Sequence, residues 1–417
     1  VSALDWCLLV AILAIWLILM VNVVLVIAGY LEYVRQIKRP VPQFPKKPPF
    51  VSVMVPAHNE GIVIVKTVES LLRFDYPQDR YEIIVINDNS SDNSAALLAK
   101  LQRQHPSRNL TVVNTDAENG GKGKSNALNI GLASAQGSVL AIYDADNTPE
   151  AGALRILVSE LMANDELGAV IGKFRTRNRN ATLLTRFINI ETLSFQWMAQ
   201  AGRQHLFGLC TIPGTNYVIR RELIDEIGGW DVQALAEDTE ISFHVYWHQL
   251  RIYFQPKAVT WEQEPQTLPV WFHQRTRWVK GNIYVILKNL RLLGDSSARL
   301  IHFDLLYDLA IYFLLMVSLV LSDVVFVLSV AGIVHSNLQG FSNGLWLLAI
   351  ILFIVSTYTT ITTEKGERNF NNIWIIVLMY ITYSQMWLAV AVYGMGEYIR
   401  EQVLHKQARW YKTQRFE

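Results

Sequence analysis

At 417 residues, with a net charge of +1 and 51% hydrophobic side chains, the chain can hold one large catalytic domain plus membrane elements. The near-neutral balance excludes a nucleic-acid binder working through bulk positive charge. Two cysteines, Cys7 in an apolar run and Cys210 in a loop-like segment, support neither a disulfide framework nor a zinc site.

Residues Trp6 to Leu31 carry no charge. As a helix they reach about 39 Å, beyond the roughly 30 Å of a hydrocarbon core. No small-residue cleavage site follows, so residues 1–32 read as a signal anchor. Arg35, Lys38, Arg39, Lys46 and Lys47 come next, against a lone Asp5 before the run, which places the following region in the cytoplasm. Pro40, Pro42, Pro45, Pro48 and Pro49 make residues 33–49 a stiff, extended linker.

From Phe50 the period changes. Val51–Pro56, Glu82–Asn87, Leu110–Val113 and Val139–Tyr143 read as strands, separated by helical patterns over Gly61–Arg73, Asp92–Gln104 and Ser125–Ala135. The alternation predicts an α/β domain over residues 50–265 with a mostly parallel sheet covered on both faces. Ligands bind such sheets at the carboxyl ends of the strands. Those ends carry His58-Asn59-Glu60, Asn87-Asp88-Asn89 and Asp144-Ala145-Asp146, a nucleotide-site layout.

Past Gln266, Trp271, Trp278, Val279, Ile283, Ile286, Leu287, Leu290 and Leu293 share one side of a helix, with Lys280, Lys288 and Arg291 largely off it. Residues 266–300 are therefore expected as amphipathic helices on the inner leaflet. Three membrane segments are expected within 301–396, at Leu305–Val334, Leu345–Thr363 and Ile373–Gly396. The uncharged His335–Gly344 loop is expected outside, and Glu364–Asn372, with Lys365 and Arg368, inside. Three crossings would leave the basic amphipathic tail, residues 397–417 (Arg400, Lys406, Arg409, Lys412, Arg415), on the outside. Either one segment is not a crossing, or the tail tolerates the side that the positive-inside rule disfavours.

Five short motifs bear on chemistry. Asp144 and Asp146, two residues apart beyond a strand, can hold Mg²⁺ or Mn²⁺, hard cations that bridge to phosphates; composition alone also yields about one such Asp-x-Asp. Gly120–Ser125 invites a phosphate-loop reading but has Glu118 where the first glycine belongs. Lys124, at a helix start, could still reach a phosphate, or be an ordinary surface lysine. Glu237-Asp238 opens a helical run, where a carboxylate is either a general base or simply favourable helix-terminal charge. Gln274, Arg277 and Trp278 share a helix face. There the guanidinium can grip a diphosphate and the indole can stack on a sugar ring, or the pair can be a snorkelling arginine and an interfacial tryptophan. Asp323, inside an apolar run, is either a channel-lining carboxylate or a misplaced helix end.

In order, the chain shows Pro56-Ala57-His58-Asn59-Glu60, Asn87-Asp88, Gly123-Lys124-Ser125-Asn126-Ala127-Leu128-Asn129, Asp144-Ala145-Asp146, Glu237-Asp238 and Gln274-Arg275-Thr276-Arg277-Trp278. This series resembles the processive, membrane-embedded family 2 glycosyltransferases, the cellulose, hyaluronan, chitin and poly-N-acetylglucosamine synthases, over about residues 50–300. The resemblance implies a GT-A-like cytoplasmic domain in a multi-pass protein of the cell membrane. It implies an inverting transfer of a hexose from a UDP-sugar to a growing β-linked polysaccharide that is carried across the bilayer. Carried over residue by residue, Ala57, Glu60, Asp88, Lys124, Asp144, Asp146, Gln274 and Arg277 would form the donor site. Asp144 and Asp146 would hold Mg²⁺ or Mn²⁺, and Asp238 would be the general base. Trp278, Pro213, Gly214 and Glu237 would meet the acceptor.

Three departures stand out. Pro213 replaces the cysteine usual in the cellulose branch, Ala236 replaces the threonine before Glu-Asp, and Asn87-Asp88 replaces an acidic pair. The stretch Pro213–Arg221 tilts the expected donor toward UDP-glucose over UDP-N-acetylglucosamine. Two other readings stay open: a non-processive transferase acting on a lipid, and a transporter or receptor with a nucleotide-binding regulatory domain.

Overall fold

A computed structural model describes residues 3–295, 299–334, 339–404 and 414. Among these, eight strands form one sheet: β1 (Val51–Ala57), β2 (Tyr81–Asn87), β3 (Leu110–Asn114), β4 (Val139–Ile142), β5 (Thr148–Pro149), β6 (Leu167–Thr176), β7 (Tyr217–Arg220) and β8 (Arg251–Glu262). Their spatial order is β3-β2-β1-β4-β7-β6-β8-β5. The four strands expected from the apolar runs pair in parallel, β3 to β2 to β1 to β4. β8 is parallel to β6, whereas β7 is antiparallel to both β4 and β6, and β5 to β8.

The helices preceding and interleaving the sheet are α1 (Ala3–Lys38), α2 (Ile64–Leu71), α3 (Ser94–Gln104), α4 (Lys124–Leu132), α5 (Ala153–Met162), α6 (Leu183–Ser194), α7 (Ala201–Phe207), α8 (Arg221–Ile227) and α9 (Glu237–Trp247). After the sheet come α10 (Leu268–Asn289), α11 (Arg299–Leu309), α12 (Met316–Val330), α13 (Gln339–Ile361), α14 (Asn371–Ile381) and α15 (Tyr383–Val403). Side chains alternate across each strand, so Val51, Val53 and Val55 of β1 pack toward α2, α3 and α5. Met54 packs on the other face, with residues of α4, α8, α9 and α10. Both faces are covered, which is why the strands read as unbroken apolar runs.

α6 starts at a capping box in which Thr182 accepts from the Thr185 amide and Thr185 returns a bond to the Thr182 backbone, worth about 1 kcal/mol. It runs through a π-helical turn (Phe195–Gln200) into α7. α1 crosses this helix at contact distance: a Cβ on Gly29 would lie 1.8 Å from the Trp197 carbonyl oxygen, and one on Gly202 would lie 2.3 Å from that of Leu25. Glu32 of α1, fully buried, accepts from Gln36 (2.7 Å) and Gln204 (3.1 Å) and lies 3.1 Å from His205 Nδ1. The base of α1 is thereby locked to the sheet domain.

Among the described residues, three helices are long and apolar enough to cross a membrane: Leu4–Lys38, Ile301–Ser329 and Asn371–Val403. The middle one expected downstream falls within α13, whose apolar part includes Leu347–Ile361. Residues 335–338 of the expected external loop lie outside the described residues, as do Lys406, Arg409, Lys412 and Arg415 of the tail. From Gln339 the loop is already α13.

The connection between α13 and α14 is docked on the sheet domain by two buried glutamates. Glu364 pairs with Lys173 (2.7 Å) and Arg175 (2.8 Å) and accepts from Trp197 Nε1 (3.0 Å). Glu367 pairs with Arg179 (3.3 Å) and Arg186 (3.2 Å).

The apolar stripe of α10, expected on a lipid surface, turns inward instead. Trp271, Val279, Ile283 and Ile286 are buried, and Trp271 and Val279 pack with Tyr383 and Val390 of α15. Only Trp278, Leu287 and Leu290 of that stripe are exposed large hydrophobics. A parallel neighbour helix supplies the apolar partner that the sequence pattern assigned to lipid.

Candidate active site

The strand-end residues converge where the parallel half of the sheet meets α9. At the donor end, Ala57 closes β1 and its carbonyl accepts from the Asp88 amide (2.7 Å). Asp88, buried, takes the Thr115 hydroxyl (2.9 Å) and the Gly121 amide (2.8 Å) on Oδ1. That contact folds the glycine-rich loop over the end of β2. Glu60 is also buried, and its amide donates to Ser94 Oγ (3.0 Å) at the start of α3.

The loop delivers Lys124, the first residue of α4, into a cage of oxygens. Its Nζ lies 2.7 Å from Asp144 Oδ1, 3.0 Å from Glu237 Oε1 and 2.7 Å from the Gly214 carbonyl oxygen. Burial opposes charge on this lysine, but Asp144 and Glu237 outweigh it and hold its pKa above the ordinary value.

Glu237 and Asp238 open α9. Glu237 is buried, and Asp238 Oδ1 accepts from the Thr239 amide (2.8 Å). Burial and then the adjacent Glu237 push Asp238 up to about 7, against the pull of Lys124. Gly214 sits on this carboxylate with φ +82°; a Cβ there would lie 2.8 Å from Asp238 Oδ2. Lys124, Asp144, Gly214, Glu237 and Asp238 are thus one contiguous group drawn from four separate stretches. Pro213, half-buried, precedes Gly214 in the same loop.

On the other flank, Asp146 is buried beside two carboxylates that strand-end reasoning missed, Glu262 and Glu264. Burial, then Glu264, Asp146 and Asp144, hold the Glu262 carboxyl well above its usual range. Burial raises Glu264 to about 7, opposed by Arg275 and reinforced by Glu191 and Asp146. Glu262-Gln263-Glu264 lies at the carboxyl end of β8, so the rule that found the Asp-x-Asp would have found it had β8 been recognised. The polar pattern of Arg251–Glu262 hid that strand.

α10 adds the last flank. Arg275, unremarked in sequence because it falls between the motif positions, is fully buried and bonds Glu191 Oε2 (2.6 Å) and Gln274 Oε1 (2.8 Å). Its guanidinium stacks 3.8 Å from the centroid of the Trp278 ring. Trp278 keeps 37% of its surface exposed, while Arg277 is half-buried. Gln274 therefore joins the site through Arg275 rather than alone. Asp323 is exposed on α12 and takes no part.

A divalent cation fits this donor set in a specific way. Among the described residues no group of three His, Cys, Asp or Glu side chains is arranged to hold a metal alone. Mg²⁺ characteristically takes one or two carboxylates and completes its shell with substrate phosphates and water. Asp144 and Asp146 supply that number, and the mutual raising of Asp146's carboxylate neighbours marks a local surplus of negative charge that a cation would relieve.

Buried acids at strand ends, a caged lysine and a half-exposed indole define a sugar-nucleotide transferase class of site on a GT-A-like fold. Residues 48–281 match the family described as glycosyltransferase like family 2, and the chain belongs to that family. It is 44% identical over 405 residues to the probable glycosyltransferase YdaM of Bacillus subtilis (strain 168), with 96% of each chain covered. It is 28% identical over 239 residues to a poly-beta-1,6-N-acetyl-D-glucosamine synthase of Staphylococcus epidermidis, covering 57% of this chain and 56% of that one. It is 33% identical over 233 residues to a beta-monoglucosyldiacylglycerol synthase of Synechocystis sp., covering 56% and 48%. The chain thus spans about half the length of these last two relatives. Among solved structures, the mannosyltransferase PcManGT of Pyrobaculum calidifontis, in complex with GDP-Man and Mn²⁺, shares the fold with TM-score 0.60 at 22% identity, covering 90% and 97%.

Proposed function

We propose that this protein is an inverting, UDP-sugar-dependent hexosyltransferase that extends a β-linked polysaccharide at the cytoplasmic face of the cell membrane and passes it across. The observation that carries the reading is the approach of Gly214, Lys124 and Asp144 to Asp238, with the exposed Trp278 ring presented by the next helix. In this reading Asp88, with Ala57 and Glu60 around it, frames the uridine. Lys124, Arg277 and Gln274 face the diphosphate, and Asp144 and Asp146 hold Mg²⁺ or Mn²⁺. When bound, the ion supplies positive charge to the departing diphosphate. Asp238 takes the proton from the acceptor hydroxyl, and its raised pKa makes it a stronger base once ionised. Pro213, Gly214 and Glu237 border the acceptor end, and Trp278 stacks on the terminal sugar. The relative named a poly-N-acetylglucosamine synthase supports a polymer product, and the solved mannosyltransferase with Mn²⁺ supports a divalent ion. UDP-glucose is the donor of first choice.

A second reading, one sugar added to a lipid, is favoured by the relative named a glucosyldiacylglycerol synthase. Purified protein given Mn²⁺ or Mg²⁺ and labelled UDP-glucose, UDP-N-acetylglucosamine or UDP-glucuronate should release UDP from one donor. Polymer ladders support the first reading, and a single glycolipid band the second. No UDP release from any donor sinks both. Trp278→Ala should cut polymer yield by about 10-fold or more, since stacking on one ring is worth about 1–2 kcal/mol; unchanged yield would limit the indole to anchoring α10.

A further inference from the structure

Glu191, on α6, makes a contact set with no role in the reading above. Its Oε2 accepts from Arg275 Nη2 (2.6 Å) and the Tyr383 hydroxyl (2.8 Å), and its Oε1 accepts from Trp387 Nε1 (2.6 Å). Tyr383 in turn accepts from Trp271 Nε1 at 2.9 Å. Three aromatic or cationic groups from α10 and α15 are therefore gathered on one carboxylate of a third helix, with Trp271 joined to it through Tyr383. Arg275, held by Glu191, also meets two neighbours that the transfer site needs, through a hydrogen bond to Gln274 (2.8 Å) and a face-on stack under Trp278 (3.8 Å), and lies 5.8 Å from the Trp387 ring centroid. Arg275 is 1% exposed and has no water to fall back on. Its direction, and through it the plane of the Trp278 ring, is set by where Glu191 sits.

We propose that Glu191 is a positioning residue for transfer: through Arg275 it fixes Gln274 and Trp278, and through Tyr383 and Trp387 it ties their placement to α15. The inference rests on the hexosyltransferase reading and adds to it a helix-to-site coupling. A full carboxylate is needed, because only an acceptor with two charged oxygens serves Arg275 and both α15 donors at once. Misplacing a reacting group by about 1 Å costs on the order of 100-fold in rate, and that is the effect expected here.

The test compares wild type, Glu191→Gln, Glu191→Asp, Trp387→Phe and the neutral pair Glu191→Gln/Arg275→Gln in detergent or nanodiscs. UDP release is measured across donor concentration, and UDP affinity by calorimetry. Glu191→Gln should lower kcat about 100-fold and UDP affinity by less than about 10-fold, the share that Gln274 contributes at the diphosphate, so that the rate loss clearly exceeds the binding loss. Glu191→Asp should recover part of the rate. Trp387→Phe deletes a single donor without stranding a charge, and should lower kcat about 10-fold in a folded protein. The neutral pair removes the buried charge and the folding burden that goes with it. It should bind UDP yet stay slow. Near-wild-type kcat in Glu191→Gln, or recovery of transfer by the neutral pair, would overturn the positioning role and leave the hexosyltransferase reading standing. A wild type that releases no UDP would remove both.

Discussion

In the proposed reading, Asp238 serves chemistry at a cost to the fold. Its folded-state pKa of about 7 stands above the ordinary 3.8, because burial and Glu237 outweigh Lys124. The sign follows directly. A carboxyl raised on folding favours the native state at low pH, and that advantage is lost as pH rises from about 4 through about 7. Asp238→Asn should therefore be more stable than wild type at pH 8 and equal to it below pH 4. The same variant should bind UDP and lose transfer. The kcat/KM profile of the wild type should rise with pH through about 7. Thermal scans at the two pH values, with rates beside them, check both; a variant less stable than wild type at pH 8 would contradict the assigned cause. The acid was legible in sequence as Glu237-Asp238 before a helix, but its neighbour Gly214 was not legible as the residue pressed on it.

At the scale of elements, the loop before β7 and helix α10 decide how the site is framed. Gly214 has a backbone conformation that L side chains rarely adopt, and its missing Cβ is the space in which Asp238 lies. Gly214→Ala should cost about 1–2 kcal/mol of backbone strain. By displacing the carboxylate it should lower transfer about 100-fold, with UDP affinity less affected; a fully active variant would show that the loop yields freely. The parallel half of the sheet could be read from four apolar runs because both its faces are covered. β6, β7 and β8 could not be delimited, since β8 mixes Arg251, Gln255, Lys257 and Glu262 among its apolar positions. The α10 stripe is periodic as read, and Trp271, Val279, Ile283 and Ile286 of it are buried against protein, because period reports that a face is buried and not what buries it.

Across the whole molecule, we propose a geometric answer to the apparent conflict between three downstream crossings and a basic tail. Asn372, at the start of α14, is tied to the sheet domain through Arg186 (2.5 Å), and Glu401, near the end of α15, pairs with Lys280 of α10 (2.5 Å). Both ends of the apolar stretch Asn371–Val403 thus rest on the catalytic unit, and the helix breaks between them at Thr382. Length and apolarity alone would have made it a crossing. In a Cys7→Ser background, Asp165→Cys on the sheet domain, Lys365→Cys in the docked loop and Arg400→Cys should all react with an impermeant maleimide from the same side of sealed vesicles. Labelling of Arg400→Cys only from the opposite side would restore the straight crossing. Removing Glu364 from its two cations should cost about 3–5 kcal/mol, the penalty of stranding buried charge, and loosen this docking.

Sequence alone determined the α/β class, the parallel strands, the N-terminal apolar helix and the residue types at the strand ends. Each of these is written in a local period or in a side chain's own chemistry. Tertiary structure decided which acids share a cage, that Arg275 supports the Trp278 ring, and which apolar faces meet protein. Those outcomes depend on residues far apart in the chain whose encounter no local pattern encodes. Glu191 meets Arg275 across 84 positions, and only the packing of α6, α10 and α15 brings them together.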